Sequence, residues 1–473
     1  MENIEANVRS LVEEVIKNLN IENIKTPSAT GEKNGVFSNI NDAIRAANTA
    51  HKELMQLTLE TRGKIIESIK NKVLEKKETL SKMAAEETGL GRWEDKVLKN
   101  ELAALKTPGI EDLEPITFTD DNGLTLVERA PYGVIGSITP CTNPTATIIS
   151  NGIGMIAGGN AVVFNPHPAA KKVSCYLINL LNEAVIRAGG PINLLTCIEE
   201  PTINSAKELM SYESIAILVV TGGPAVVRTA MNSGKKVIAA GPGNPPCVVD
   251  ETADLAKAGK DIVSGAGFDN NVICVCEKEI IAVASITDRL KEEMKKNGAY
   301  ELNEDQIKKV TELVIDKLGN PEDEGAPNKK YVGKNASLIA KEIGIDVPVD
   351  TRILLCEVGR EHPLVWTEQL MPVIPLVRVK DVDAAIDLAY ECEHGFRHTA
   401  MMHSLNVAKL SKMAKVMNCS VFVKNGSSYN GLGKGGAGFT SFTIASPTGE
   451  GLTRARTFTR ERRCILVDFF RIV

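Results

Sequence analysis

The sequence predicts an α/β protein of two parallel-sheet α/β domains in series, with a small β oligomerisation arm. Short apolar runs alternate with helical stretches from residue 133 onward, and the pattern restarts after Gly241. A hairpin and a strand-like C-terminus stand outside that alternation. The length of 473 residues suits two or three domains rather than one core.

Residues 1–20 read as an amphipathic helix. Ile4, Val8, Leu11, Val12, Val15, Ile16 and Leu19 share one face, and Glu5, Arg9, Glu13, Glu14 and Lys17 cover the other. Pro27, Ser28, Gly31 and Gly35 mark residues 21–36 as a linker. A short helix on a linker must dock its apolar stripe on its own body or on another molecule. Residues 39–106 carry helical spacing, with small faces at Ala43, Ala46, Ala47 and Ala50 and at Ile65, Ile66, Ile69 and Val73.

The runs 116–119 and 124–127 flank Asp120-Asp121-Asn122-Gly123, where Asn-Gly signals a hairpin turn. Strands are expected at 133–138, 161–164 and 215–220, with a helix at 169–188. After Gly241 come strands at 247–249 and 279–283 around a helix at 255–263. The first domain therefore takes residues 37–114 and 130–240, and the second takes 241–430. The arm takes 115–129 and 431–473, including the apolar terminus from Cys464 to Phe470. Such a strand invites pairing with another chain, hence an expected homodimer or homotetramer.

Hydrophobic residues make up 43% and charged residues 24% of the chain, as in globular proteins. A net charge of −5 gives no reason to expect a nucleic-acid partner. No window of about 18 unbroken apolar residues indicates a membrane span. The acidic N-terminal segment lacks a secretory apolar core, so a cytoplasmic location is expected. The ten cysteines show no framework spacing and are expected reduced. Cys274 and Cys276 have no second pair, and no metal site is expected.

The chemistry centres on Phe268-Asp269-Asn270-Asn271-Val272-Ile273-Cys274-Val275-Cys276. The pattern predicts an amide-rich loop running into an apolar strand with a thiol at its mouth. A thiolate is a strong nucleophile, and backbone amides there would stabilise both it and an oxyanion. A buried small hydrophobe is the competing role for Cys274. Strand alternation would put Cys276 on the same face, and local chemistry does not separate the two.

This run, with Glu277-Lys278-Glu279, resembles the nucleophile segment of CoA-acylating aldehyde dehydrogenases, nearest to the microcompartment-linked propionaldehyde, acetaldehyde and butyraldehyde enzymes. The resemblance extends from about residue 36 to 466. It implies the aldehyde dehydrogenase fold, with a Rossmann-type cofactor domain and a catalytic domain. It selects Cys274, three positions after Asn-Asn, over Cys276. It implies the conversion of a short-chain aldehyde with NAD and coenzyme A to an acyl-CoA.

The segment from Pro131 to Pro144 resembles the first cofactor-domain strand and the loop beneath the nicotinamide. It places Thr139 and Pro140 at the cofactor and either Thr142 or Asn143 at the oxyanion. Thr221-Gly222-Gly223 corresponds to the pyrophosphate turn, where a glycine turn before a helix exposes N–H groups. Asn165 stands where hydrolytic relatives carry a ribose-binding Lys, which leaves NAD and NADP both open. Glu368, in Thr367-Glu368-Gln369, corresponds to a contact with the nicotinamide ribose. His394, His398 and His403 fall in scaffold near the active site, with a structural role expected.

Hydrolytic relatives carry a Glu that activates water. The corresponding run from Ala239 to Pro246 has no carboxylate, and Ala240 or Gly241 stands in its place. Water without a positioned base is a poor nucleophile, whereas a thiol attacks a thioester readily. The resemblance also implies that residues 1–20 dock on microcompartment shell proteins. A hydrolytic enzyme releasing a free acid and a non-catalytic scaffold are the other functions consistent with the sequence.

Overall fold

The computed structural model describes Asn34–Val473, so the segment 1–20 and the linker as far as residue 33 lie outside the described residues. Strand β1 (Val36–Phe37) begins inside the stretch expected as linker, because Cys197 N donates to Gly35 O at 2.8 Å and draws it into a sheet.

The helical spacing of 39–106 resolves into α1 (Ile40–Leu54), α2 (Leu59–Thr88) and α3 (Trp93–Lys106). Asn39 and Thr58 side chains cap the first two by accepting from Asp42 N and Thr61 N. Gly89, at φ 65°, closes α2 in the left-handed conformation. Ile65, Ile66, Ile69, Val73 and Leu80 of α2 are buried in the first core. Each such side chain stabilises the fold by roughly 1.5–3 kcal/mol.

Strands β2 (Ile116–Asp120) and β3 (Gly123–Pro131) form the expected hairpin, in register from Ile116–Val127 to Asp120–Gly123. The two turn residues are thus Asp121 and Asn122, with Gly123 (φ 129°) opening the return strand.

The first domain's sheet contains β4 (Val134–Thr139), β5 (Ala161–Pro166), β6 (Leu195–Ile198), β7 (Ile215–Thr221) and β8 (Lys236–Ala240). Their order is β1-β6-β5-β4-β7-β8, parallel throughout. The crossovers carry helices α4 (Pro144–Ala157), α5 (Lys171–Arg187), α6 (Ile203–Ser211) and α7 (Pro224–Met231). Winding reverses between β4 and β7, which opens a crevice at their C-terminal ends, where dinucleotides bind in such sheets.

The second domain starts with β9 (Pro246–Val249), α8 (Leu255–Ala266), β10 (Glu279–Val283) and β11 (Ala299–Glu301). Strands β12 (Ile315–Lys317) and β13 (Ala326–Pro327) pair separately. With β14 (Ile353–Val358), β15 (Val373–Val379), β16 (Thr399–His403) and β17 (Val421–Lys424), the sheet order is β11-β14-β15-β10-β9-β16-β17, again parallel.

Of the stretch expected as the C-terminal arm, only β20 (Thr459–Val467) joins the hairpin, antiparallel to β3. The residues before it return to the body: Ala455 and Phe458 are buried in the first core, and Leu432 and Ile444 in the second. The short pair β18 (Ile444–Ala445) and β19 (Gly451–Leu452) lies in this return path. Among the described residues no helix is long and apolar enough to cross a membrane.

Candidate active site

The loop expected to carry the nucleophile follows α8. Asp269, Asn270 and Asn271 all adopt left-handed backbone angles, with φ of 49°, 53° and 65°. Asp and Asn tolerate that region because their short side chains hydrogen-bond locally. Here all three are anchored at once. Asn270 Nδ2 donates to Gly333 O (2.9 Å) and Asn335 Oδ1 (2.8 Å). Asn271 Nδ2 donates to Ala266 O (2.9 Å) and Glu277 O (3.0 Å).

The expected strand through Cys274 and Cys276 is a turn instead, with Cys276 N donating to Ile273 O at 3.1 Å. The cause is Lys278, whose buried Nζ takes the carbonyls of Asn271 (2.8 Å) and Ile273 (3.3 Å) away from any ladder. The two cysteines therefore do not share a strand face. Cys276 is 1% exposed, with its sulfur directed toward Phe268 O at 3.8 Å, while Cys274 keeps accessible surface. Burial pushes both thiols up to about 12; the Glu368 charge adds to this at Cys274, and Lys278 opposes it at both. Accessibility, not acidity, separates them.

Asp269 is the hub of a buried charge cluster with α3. Its carboxylate accepts from Arg92 N (2.7 Å), Lys96 Nζ (2.9 Å) and Lys99 Nζ. Asp95 accepts from Asp269 N (2.9 Å) and from the Arg352 guanidinium (3.1 Å). Burial brings the Lys99 ammonium down to about 8, against the pull of Asp269. Lys99 also donates to Asn143 Oδ1 at 2.6 Å, which ties the nucleophile loop to the β4 loop. Sequence reasoning missed Lys96, Lys99 and Lys278. The findable signal was Asp95, Lys96 and Lys99 falling on the side of α3 that also carries Ala103.

The cofactor candidates gather at the winding reversal. Thr139 ends β4, Asn165 lies near the end of β5, and Thr221 ends β7. Pro140 and Thr142 follow β4, and Asn143 stands at the N-cap position of α4 without a side-chain capping bond. Thr139 Oγ1 is buried with no protein partner. Asn165 Oδ1 accepts from Ser205 Oγ at 2.7 Å, leaving its NH2 end available. Thr221 Oγ1 bonds Thr443 Oγ1 at 2.8 Å, which leaves Gly222 and Gly223 to open α7. A Cβ at Gly223 would meet nothing within 4 Å, so there is room for a phosphate before the helix. The orphaned hydroxyl and that open turn fit a nicotinamide dinucleotide.

Glu368 lies in a loop after a short 3₁₀ turn. Burial brings its carboxyl up to about 7, opposed by Lys278 and a bond from the Gly243 backbone. Gly243 is squeezed: a Cβ there would sit 2.9 Å from His398 Cγ and 3.1 Å from Cys274 O. His398 thus packs beside the nucleophile's backbone. Its Nδ1 is engaged with Thr399 Oγ1 at 2.8 Å, and burial holds its ring down to about 4. Ala239 and Ala240 are buried, and Asn244 gives its amide to the carbonyls of Val365 (3.1 Å) and Cys392 (2.9 Å). Among the described residues no cluster of three or more His, Cys, Asp or Glu could hold a metal ion.

Comparison with known proteins places the chain in a family. The aldehyde dehydrogenase family profile matches residues 15–313. An acetylating acetaldehyde dehydrogenase of Bilophila wadsworthia is 52% identical over 93% of this chain and 91% of its own. A CoA-propanoylating propanal dehydrogenase of Citrobacter freundii is 46% identical over 98% and 99%. The crystal structure of Rhodopseudomonas palustris propionaldehyde dehydrogenase, with bound CoA and an acylated cysteine, superposes with a TM-score of 0.89 at 50% identity, covering 92% of this chain and 98% of its own. A propionaldehyde dehydrogenase from the Clostridium phytofermentans fucose utilisation bacterial microcompartment gives 0.90 at 48%, covering 93% and 100%. With a parallel-sheet crevice, a loop thiol and matches of this extent, the chain belongs to the aldehyde dehydrogenase family.

Proposed function

We propose that this chain is a CoA-acylating aldehyde dehydrogenase that passes the acyl group of a short-chain aldehyde to coenzyme A through a thioester on Cys274. Cys274 Sγ, once deprotonated, attacks the aldehyde carbonyl. Asn143 or Thr142 and the Cys274 backbone N–H hold the resulting oxygen. A nicotinamide dinucleotide, bound near Thr139, Pro140, Asn165, Thr221, Gly222, Gly223 and Glu368, supplies the hydride acceptor. The Cys274 thioester is then open to the CoA thiol, which displaces Cys274 as thiolate and carries off the acyl group.

The observation that carries this reading is the absence of a carboxylate from the run Ala239 to Pro246, whose one amide, on Asn244, is committed to two backbone carbonyls. A positioned base contributes roughly 10²–10⁴-fold to attack by water, so its loss leaves the thioester to the thiol. The test is acyl-CoA and free-acid formation from propionaldehyde and NAD, with and without CoA. Cys274→Ala abolishes acyl-CoA formation and Cys276→Ser retains it. Free acid accumulating at full rate without CoA would overturn the reading.

Two finer assignments go with it. The β2–β3–β20 sheet, with Phe118, Ile465 and Val467 each more than half exposed, pairs subunits into a dimer or tetramer. A chain ending at residue 458 that keeps the native sedimentation coefficient refutes this. Residues 1–20 dock the enzyme on a microcompartment shell. Their deletion leaves specific activity unchanged and abolishes co-sedimentation with shell proteins; unchanged co-sedimentation refutes it.

A further inference from the structure

We infer that Lys99 is a positioning residue for acylation: it holds the Oδ1 end of the Asn143 carboxamide, so that the NH2 end donates to the substrate oxygen at Cys274. The inference rests on Cys274 being the acylated sulfur.

The argument is one of donors and acceptors. A lysine ammonium has three donors and no acceptor. Lys99 Nζ lies 2.6 Å from Asn143, so the atom facing it is the carbonyl oxygen. The other end of the amide is then NH2. One of its hydrogens points toward Thr142 Oγ1 at 3.3 Å, and the second is free. That makes Asn143 a donor whose sense is fixed by Lys99, whereas the Thr142 hydroxyl, which accepts from Asn143, keeps an O–H that rotates freely and that no cation orients.

Lys99 has little freedom to do otherwise. It is 3% exposed, and its remaining charge contact is with Asp269, which Lys96 Nζ and Arg92 N also hold. The same ammonium is felt at the Cys274 sulfur. The buried chain Asp269–Lys99–Asn143 thus starts in the nucleophile loop and ends in the β4 loop, so one cation sets both halves of the site in register.

Replacing Lys99 by Met does more than release the amide. Asp269 would keep a vacant acceptor, and the Asn143 NH2 would turn toward it, which withdraws the donor from the substrate. The loss then approaches that of deleting an oxyanion donor, about 10²–10³-fold.

The test is a double-mutant cycle on a step that needs no nucleotide: acylation of Cys274 by p-nitrophenyl acetate, read as the burst of nitrophenolate in the full-length protein. Cys274→Ala erases the burst; a burst that survives refutes the underlying reading of the nucleophile. Asn143→Ala lowers the burst rate about 10²-fold or more. Lys99→Met lowers it at least tenfold in the wild-type background and less than about threefold when Asn143 is already Ala. Equal losses in both backgrounds overturn the proposal, and so does an Asn143→Ala burst at the wild-type rate. Should Lys99→Met not fold, Lys99→Gln carries the same cycle: its NH2 donates to Asp269, while toward Asn143 it presents either its second N–H or its carbonyl oxygen, so the sense of the Asn143 amide is no longer fixed although contact remains. It shows the same non-additivity at smaller amplitude, and additivity there overturns the proposal equally.

Discussion

Lys278 grips Asn271 by both of its oxygens, at 2.8 Å to the backbone carbonyl and 2.6 Å to Oδ1. Both residues are fully buried. The grip fixes the third of three consecutive left-handed residues and so sets where Cys274 emerges. Hydrogen bonds to a buried charge contribute about 1.5–3 kcal/mol. Lys278→Met is therefore expected to lower unfolding stability by at least that much in urea titrations. The ammonium also favours the Cys274 thiolate. Alkylation of Cys274 by iodoacetamide at fixed pH should slow in the variant. An unchanged alkylation rate in a destabilised protein would confine Lys278 to a purely structural role.

Gly91 tests the other side of the loop. Its φ is 73°, its N–H donates to Gly333 O at 2.9 Å, and a methyl group there would collide with the Asp269 carboxylate. Gly189 is the control, with φ 84° and nothing within 4 Å of an added Cβ. Gly189→Ala carries the backbone strain alone, about 1–3 kcal/mol. Gly91→Ala adds the collision, which displaces Asp269 and with it Lys96 and Lys99. Acyl-CoA formation should drop at least tenfold further in Gly91→Ala than in Gly189→Ala. Equal activity in the two would show that Asp269 need not be clamped.

These tests fall where the sequence was least readable. The parallel sheets were legible because strands such as Val162–Phe164 and Ile217–Val220 are continuous apolar runs, as expected for strands buried on both faces. The hairpin was legible from its turn residues. The run from Val272 to Cys276 is just as apolar, yet it is a turn, because a lysine two residues later captures the carbonyls a strand would need. Lys96 and Lys99 were unreadable for the opposite reason. Charged residues on a helix are ordinarily solvated, and the burial of these two is matched by partners distant in sequence, Asp269 for both and Asn143 for Lys99. Cys274 and the residues at the crevice were reached through resemblance. The proposal of Asn143 over Thr142 rests on a third residue from another helix, Lys99.

Glu277 gives a pH signature. Its buried carboxyl accepts from Ser428 N (2.9 Å) and Ser428 Oγ (2.8 Å), yet burial wins and brings it up to about 7 from 4.5. The folded chain thus holds a proton that the unfolded chain releases. Stability from this group is complete below about pH 4.5, is lost as pH rises, and is gone above about 7. Glu277→Gln does not titrate. The stability of the variant relative to wild type should therefore rise between pH 4.5 and 7, by on the order of 3 kcal/mol. A difference independent of pH in denaturant titrations would show that the carboxyl is ionised throughout.

Glu368 has two candidate roles, ligand of the cofactor ribose and base toward water. Its charge is felt at the Cys274 sulfur, and its own carboxyl sits at about 7. As a ribose ligand it accepts hydroxyls best when ionised, so the KM for NAD should fall as pH rises through 7. Glu368→Gln keeps the shape and removes the charge. It should raise the KM for NAD roughly tenfold, at the cost of about one charge-assisted hydrogen bond, and flatten that pH dependence. Because the lost charge no longer disfavours the thiolate, iodoacetamide should alkylate Cys274 faster in the variant. A base that delivers water to the acyl-enzyme would behave differently. Its loss would suppress free acid formed without CoA and leave the KM for NAD untouched. Measuring the KM for NAD, alkylation rate and free acid in one variant separates the two roles.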